Sequence, residues 1–248
     1  MRKFGLIGYP LGHSFSKGYF ADKFKKENIG ESEYNNYPIS SIDQFPSLIE
    51  NNSEICGLNV TIPYKEQILS YLDELDIVAA NIGAVNTIKI TRSENNTFLK
   101  GFNTDYFGFE ESLKPLLKNH HTKALILGTG GASKAVAYVM ERLNIEYKYV
   151  SRKPNKTDIL SYSDISETII EQYLVIVNTS PLGMSPNLDA CPDIPYNALT
   201  RNHILYDLIY NPQTTLFLEK GIKAGAIIMN GLPMLHLQAE KAWQIWNS

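Results

Sequence analysis

An α/β fold with parallel β-sheet is what the 248-residue sequence predicts, from three observations. Short apolar runs alternate with segments of helical periodicity along the whole chain, the rhythm of βαβ units. A glycine-rich turn, Gly128-Thr129-Gly130-Gly131, joins one such run directly to a helix. The run after that helix ends in Ser151-Arg152-Lys153.

In chain order, "KFGLIG" reads as a strand and "FSKGYFADKFKKENI" as a helix, with Phe15, Tyr19, Phe20, Phe24 and Ile29 at mostly helical spacing. "YNNYPIS" and "ICGLNVTI" are strands separated by a helix around "DQFPSLIEN". "AVNTIKI" and "TFLKGF" form a β pair joined by the polar "SENN". From "TDYFGFEESLKPLL" onward, helices alternate with the strands "KALIL", "YKYVSR", "YLVIVN", "HILYDL" and "GAIIMN", and a helix closes the chain. There is no internal repeat and no low-complexity segment.

Composition narrows the function classes. Hydrophobic residues make up 44% and charged residues 20%, as in an ordinary globular protein. A net charge of −3 provides no basic face for nucleic acid or an anionic membrane. Cys56 and Cys191 are isolated, and the five histidines have no metal-ligand spacing, so neither a disulfide framework nor a metal site is expected. His120-His121 reads as a polar loop. No apolar run reaches the roughly 18 residues of a membrane span, and "MRKFGLIGYP" is broken too early for a signal peptide. A cytoplasmic protein without metal is expected.

The glycine turn suits a dinucleotide. Gly128, Gly130 and Gly131 permit a tight turn, and the backbone N–H groups of Gly131 and Ala132 open a helix whose dipole favours a pyrophosphate. Ser133 replaces the third glycine of the GxGxxG pattern, so the context of strand and helix carries the reading. A βα turn that needs glycine only for its geometry is the competing account. An NAD site usually has an acid at the end of the next strand. Here residues 147–156 contain none and offer Ser151, Arg152, Lys153 and Lys156. Guanidinium and ammonium groups suit a 2′-phosphate, which points to NADP.

The first hundred residues contain only two arginines, Arg2 and Arg92, so an anion bound there is not held mainly by an arginine clamp. They offer hydroxyls and amides instead: Ser14 and Ser16, Asn59 and Thr61, and Asn86. The two serines equally suit helix capping, and both roles are compatible with a carboxylate at a helix start. Asp105, in a helix's first turn, reads alone as a dipole partner. Lys65 of "NVTIPYK" reads alone as a surface lysine.

Taken together, "GYPLGHSFS", "GLNVTIPYK", "GAVNT", "GFNTDYFG", "GTGGASKA", "NTSPLGM", "DLIYNPQTTLF" and "GLPMLHLQAEKAWQIW" resemble, in this order, the shikimate dehydrogenase family. The resemblance implies two domains. An α/β substrate-binding domain would comprise residues 1–104 plus 231–248, and a Rossmann-like NADP-binding domain residues 105–230, with the active site in the cleft between them. It implies that Ser14, Ser16 and Tyr210 receive a substrate carboxylate, and that Thr61, Asn86, Asp105 and Gln238 hold ring hydroxyls. Lys65 takes the catalytic role, with Asp105 beside it, and Gly231 joins the cofactor site. Phe15 stands where lysine is common, Thr129 where alanine is usual, and Ser151-Arg152-Lys153 where Asn-Arg-Thr is frequent.

The implied reaction is reversible reduction of 3-dehydroshikimate by NADPH to shikimate, in aromatic amino-acid (chorismate) biosynthesis, by a monomer or homodimer. A quinate-active relative, a methylenetetrahydrofolate dehydrogenase and a non-catalytic ligand sensor on the same fold are the alternatives. The basic strand end argues against NAD, the serine pair and "GFNTD" against the folate enzyme, and the joint presence of Lys65 and Asp105 against a sensor.

Overall fold

The computed structural model describes residues 1–12, 15–94, 96–154 and 157–248. The chain divides into two compact units, Met1–Thr104 with Ala239–Ser248, and Asp105–Gln238.

The first unit carries β1 (Arg2–Gly8), α1 (Phe15–Lys26), β2 (Ser32–Pro38), α2 (Phe45–Asn51), β3 (Ile55–Val60), β4 (Glu74–Leu75), α3 (Ile77–Ile82), β5 (Thr87–Ser93) and β6 (Asn96–Phe102). Its sheet has the order β2-β1-β3-β5-β6-β4. β1 is parallel to β2 and β3, whereas β5 runs antiparallel to β3 and β6. The expected β pair is therefore present, from Thr87↔Phe102 to Ser93↔Asn96; within its "SENN" turn, Asn95 lies outside the described residues. The short α3 was not expected from apolar periodicity. Asp76 caps it by accepting from the Ala79 N–H at 2.8 Å, and Gly83, at φ 69°, ends it.

Two apolar clusters form in this unit. Ile7, Leu58, Val60, Ile68 and Ile88 belong to one. Phe4, Phe20, Phe24 and Tyr34 form the other with Ala239, Ala242 and Trp246 from the end of the chain. Trp246 donates its indole N–H to the Ile88 carbonyl at 3.0 Å, and its ring lies so close to Gly57 that a Cβ there would come within 2.3 Å of it. The glycine inside "ICGLNV" thus makes room for a tryptophan nearly two hundred residues away.

The second unit carries α4 (Asp105–Leu113), β7 (Lys123–Leu127), α5 (Gly131–Arg142), β8 (Glu146–Ser151), β9 (Leu160–Ser161), α6 (Glu167–Gln172), β10 (Val175–Asn178), β11 (Ile204–Asp207), α7 (Leu216–Lys223), β12 (Ile227–Met229) and most of the first two turns of α8 (Leu232–Trp246). Its sheet, β12-β11-β10-β7-β8-β9, is parallel at every pairing. Apolar clusters on both faces explain the near-continuous apolar runs of β7, β10 and β11. Residues 152–159 alone join the parallel neighbours β8 and β9, where a helix normally makes such a crossover.

The second passage between units falls within α8, at Ala239, not at the Gly231 expected from the sequence. Packing explains this: Met234 belongs to the core built on β7 and α5, whereas Ala239, Ala242 and Trp246 pack with Phe4 and Phe20. His121 also departs from expectation. It is buried at 4% exposure, accepting the Lys118 N–H at 2.8 Å with its other ring nitrogen 2.9 Å from the Asn202 carbonyl, and burial lowers its pKa. Among the described residues, no helix is long and apolar enough to cross a membrane.

Candidate active site

In the first unit, the site residues gather around "NVTIPYK". Val60 N–H donates to the Asn86 carbonyl at 2.8 Å and Thr61 N–H to the Ile7 carbonyl at 2.9 Å, continuing the ladder past β3. Tyr64 N–H then turns back onto the Thr61 carbonyl at 2.9 Å. The buried Tyr64 ring pins the turn by donating to the Ile39 carbonyl at 2.7 Å. The Lys65 carbonyl accepts the Val85 N–H at 2.8 Å. Lys65 is therefore half-buried on a backbone anchored on both sides, unlike a lysine on an open surface loop. Thr61 presents its methyl to Gly8, where a Cβ would come within 2.5 Å of it, so its hydroxyl is turned elsewhere.

Asn86 is 3% exposed. Its Oδ1 accepts the Thr104 N–H at 2.7 Å and the Thr104 and Thr87 hydroxyls at 3.2 and 3.1 Å. These donors orient the amide so that its NH2 points the opposite way, as a donor. Asn59 Nδ2 donates to the Asn86 carbonyl at 3.2 Å and to Thr87 Oγ1 at 3.1 Å. Tyr34, 4% exposed and stacked on Phe20 at 4.6 Å, donates its phenol to Asn59 Oδ1 at 2.8 Å, and burial raises its pKa. Tyr34 is thereby linked to Asn86 through Asn59, and Ser16 lies in the first turn of α1. Ser14 lies outside the described residues. Arg92 directs its guanidinium at the carbonyls of Ile55, Ile49 and Asn52, and Arg2 lies over the Phe4 and Trp243 rings.

In the second unit, Asp105 opens α4 at 3% exposure. Tyr210 is half-buried, and burial raises its phenol pKa. Gln238, on α8, is half-buried. The ends of β10 and β11 hold a network that motif reading missed. Asp207 accepts from Asn178 Nδ2 and from the Ile209 N–H, both at 3.0 Å, and from the Thr215 hydroxyl at 2.6 Å. Asn178 Oδ1 accepts the Ser180 N–H and hydroxyl at 3.1 and 2.7 Å. The segments "NTSPLGM" and "DLIYNPQTT" are thus tied together at the carboxyl ends of their strands, where ligands of parallel sheets bind.

The glycine turn sits at the same ends. Gly128 is at φ 121°, where a Cβ would also come within 2.7 Å of Thr179 Oγ1, so this position requires glycine. Gly130 caps α5 with an ordinary φ of −80°, and open space surrounds the place of its missing Cβ. That space, beside the first backbone N–H groups of Gly131 and Ala132, fits an approaching phosphate. Ser133 turns its hydroxyl back onto the Gly130 carbonyl at 2.6 Å, a small buried residue where the third glycine would stand. At the end of neighbouring β8, Ser151 Oγ accepts the Lys153 N–H at 3.3 Å. The exposed Arg152 lines a cavity with Ser161, Tyr162, Ser163 and Cys191. Lys156 lies outside the described residues. Gly231 has a packing reason to be glycine: its N–H donates to the Ile209 carbonyl at 3.0 Å, and a Cβ would come within 2.0 Å of the Leu208 carbonyl oxygen.

Comparison with known proteins agrees over nearly the full length. Residues 6–88 match the model of the shikimate dehydrogenase substrate binding domain. The chain is 38% identical to the NADP-dependent shikimate dehydrogenase of Halothermothrix orenii, over 98% of this chain and 89% of that one. It is similar to the crystal structure of shikimate dehydrogenase 1 from Peptoclostridium difficile, with TM-score 0.83, 39% identity, and coverage of 100% and 92%. A Thermus thermophilus shikimate 5-dehydrogenase in complex with NADP(H) and shikimate matches at TM-score 0.84 and 30% identity, covering 99% of this chain and 93% of that one.

Proposed function

Since the chain belongs to the shikimate dehydrogenase family, we propose that it catalyses the reversible, NADPH-dependent reduction of 3-dehydroshikimate to shikimate, a step of chorismate biosynthesis. The observation that carries this reading is one chain with two complements. One unit carries hydroxyls and oriented amides on the segments joined to the turn that bears Lys65, and a parallel sheet has its phosphate-type glycine turn beside the strand end that bears Arg152.

Bound NADPH supplies a hydride. The turn of Gly128, Gly130, Gly131 and Ala132 holds its pyrophosphate, Ser151, Arg152 and Lys153 take the 2′-phosphate, and Gly231 belongs to the same site. Reduction of the ketone places negative charge on its oxygen, which a positioned ammonium neutralises by giving up a proton. Lys65 does this in the forward direction and takes the proton back in reverse. Asp105 keeps its carboxylate in the family's companion position. Ser14, Ser16 and Tyr210 bind the carboxylate, and Thr61, Asn86 and Gln238 the ring hydroxyls. Thr104 fixes the Asn86 NH2 as a donor, which suits a hydroxyl oxygen. The unit Met1–Thr104 with Ala239–Ser248 is then the substrate domain and Asp105–Gln238 the cofactor domain of a cytoplasmic monomer or homodimer.

The test is a spectrophotometric scan of shikimate and quinate against NADP and NAD. Shikimate with NADP should dominate. A preference for quinate or NAD assigns the chain to the quinate-active relatives, and the absence of turnover with all four pairs makes it a sensor.

A further inference from the structure

The cavity beside Arg152 is lined by charges of both signs. Its volume is about 320 Å³, enough for a small ligand, and Arg152, Ser161, Tyr162, Ser163, Cys191 and Asp193 line it. One wall follows from β8 and β9. Ser161 pairs with Ser151 across the parallel ladder, which brings Tyr162 and Ser163 up to the strand end that bears Arg152. The opposing charge comes from the segment after β10. Pro192 and Ile194 are both buried there: the Pro192 carbonyl accepts the Tyr196 phenol at 2.7 Å, and Ile194 belongs to the apolar cluster of Leu199 and Phe217. Asp193, between these two anchored neighbours, is exposed and lines the cavity. Tyr162 lies in the field of both charges: burial raises its phenol pKa, Arg152 lowers it and Asp193 raises it. Nearby Asp164 is occupied otherwise. It accepts the Ser161 N–H and hydroxyl, each at 2.7 Å, and these bonds hold its carboxyl below the usual carboxylate range.

The acid that NAD sites carry at the end of the second strand is absent from β8, yet this fold returns one to the same cavity from far along the chain. A phosphate monoester carries about −1.5 to −2 charges at neutral pH. Arg152 attracts such a group, and a carboxylate on the same cavity repels it. Salt does not erase the repulsion over so short a span, because the Debye length is about 10 Å at 0.1 M. On the reading that Arg152 takes the 2′-phosphate of NADP, we propose that Asp193 is a specificity-determining residue that offsets part of this attraction. The preference for NADP over NAD is then smaller than the basic strand end alone would give.

Isothermal titration calorimetry of the full chain with adenosine 2′,5′-bisphosphate and with 5′-AMP tests this without turnover. Asp193→Asn keeps the size of the side chain and removes its charge. It should tighten binding of the bisphosphate about 3- to 10-fold at low ionic strength, and the gain should shrink as salt is added. Binding of 5′-AMP should be almost unchanged. Asp193→Glu retains the charge and should bind the bisphosphate much as the wild type does. Asp189→Asn removes the same charge from the same segment, outside the residues that line the cavity, and should have far less effect. Unchanged or weaker bisphosphate binding by Asp193→Asn overturns the proposal, as does an equal gain for both probes or from Asp189→Asn. A gain from Asp193→Glu equal to that from Asp193→Asn makes shape, not charge, the cause and overturns it too. If Arg152→Ala leaves bisphosphate binding unchanged, the 2′-phosphate reading itself falls, and the proposal with it.

Discussion

Thr215 donates its hydroxyl to Asp207 across 2.6 Å, and both residues are almost completely buried. Burial outweighs this bond and those from Ile209 and Asn178, and raises the Asp207 pKa to about 6. Between about pH 4 and 6 the folded chain therefore holds a proton that an unfolded Asp has released. The stability this contributes is complete below the unfolded pKa and is lost as pH rises through the folded one, with a slope of up to about 1.4 kcal/mol per pH unit. Asp207→Asn lacks this slope, so the difference in stability between wild type and variant, read from urea unfolding curves, should itself fall as pH rises from about 4 to 6. Parallel pH profiles for the two proteins would contradict it.

Lys65→Met keeps the length and apolar stem of the side chain and removes the ammonium. kcat should fall about 10²–10⁴-fold, with NADP binding and Tm retained. Steady-state kinetics with parallel thermal melts check this, and near-normal kcat would return Lys65 to a structural role.

Neutralising Arg152 and Lys153 together should raise KM for NADP and leave KM for NAD almost unchanged, because only the 2′-phosphate needs their charge. Removing one direct charge-assisted hydrogen bond to that phosphate costs about 1.5–3 kcal/mol. An equal weakening for both cofactors would remove these residues from the 2′-phosphate site.

Gly231→Ala places a methyl group against the Leu208 carbonyl oxygen, a backbone atom that cannot swing aside. Overpacking of this kind costs about 1–3 kcal/mol, so Tm should fall whether or not cofactor is present. A variant with wild-type Tm and weakened NADP binding would make Gly231 a cofactor residue first.

The long apolar runs were legible because parallel strands covered on both faces leave little room for polar residues: "KALIL", "YLVIVN" and "HILYDL" all became strands of the second sheet. α3 and the two-residue strands β4 and β9 were not, since pieces so short carry no period and owe their conformation to caps and neighbours. Lys65 and Asn86 are proposed as site residues through motifs. The buried polar networks of Tyr34 and Asp207 were missed because their partners lie far along the chain. No local pattern marks Tyr34 as the donor to Asn59, or Asp207 as the acceptor for Thr215 and Asn178. The boundary at Ala239 escaped for a similar reason: a helix reads as one element even where its two ends belong to different cores.

The seating of Trp246 over Gly57 makes the first unit depend on the far end of the chain. The unit formed by Asp105–Gln238 is continuous in sequence, whereas the other is completed by Ala239–Ser248. The N-terminal hundred residues therefore cover Phe4 and Phe20 only with the help of Ala239, Ala242 and Trp246. A chain cut before Ala239 would leave that aromatic cluster uncovered and open to chaperones and proteases.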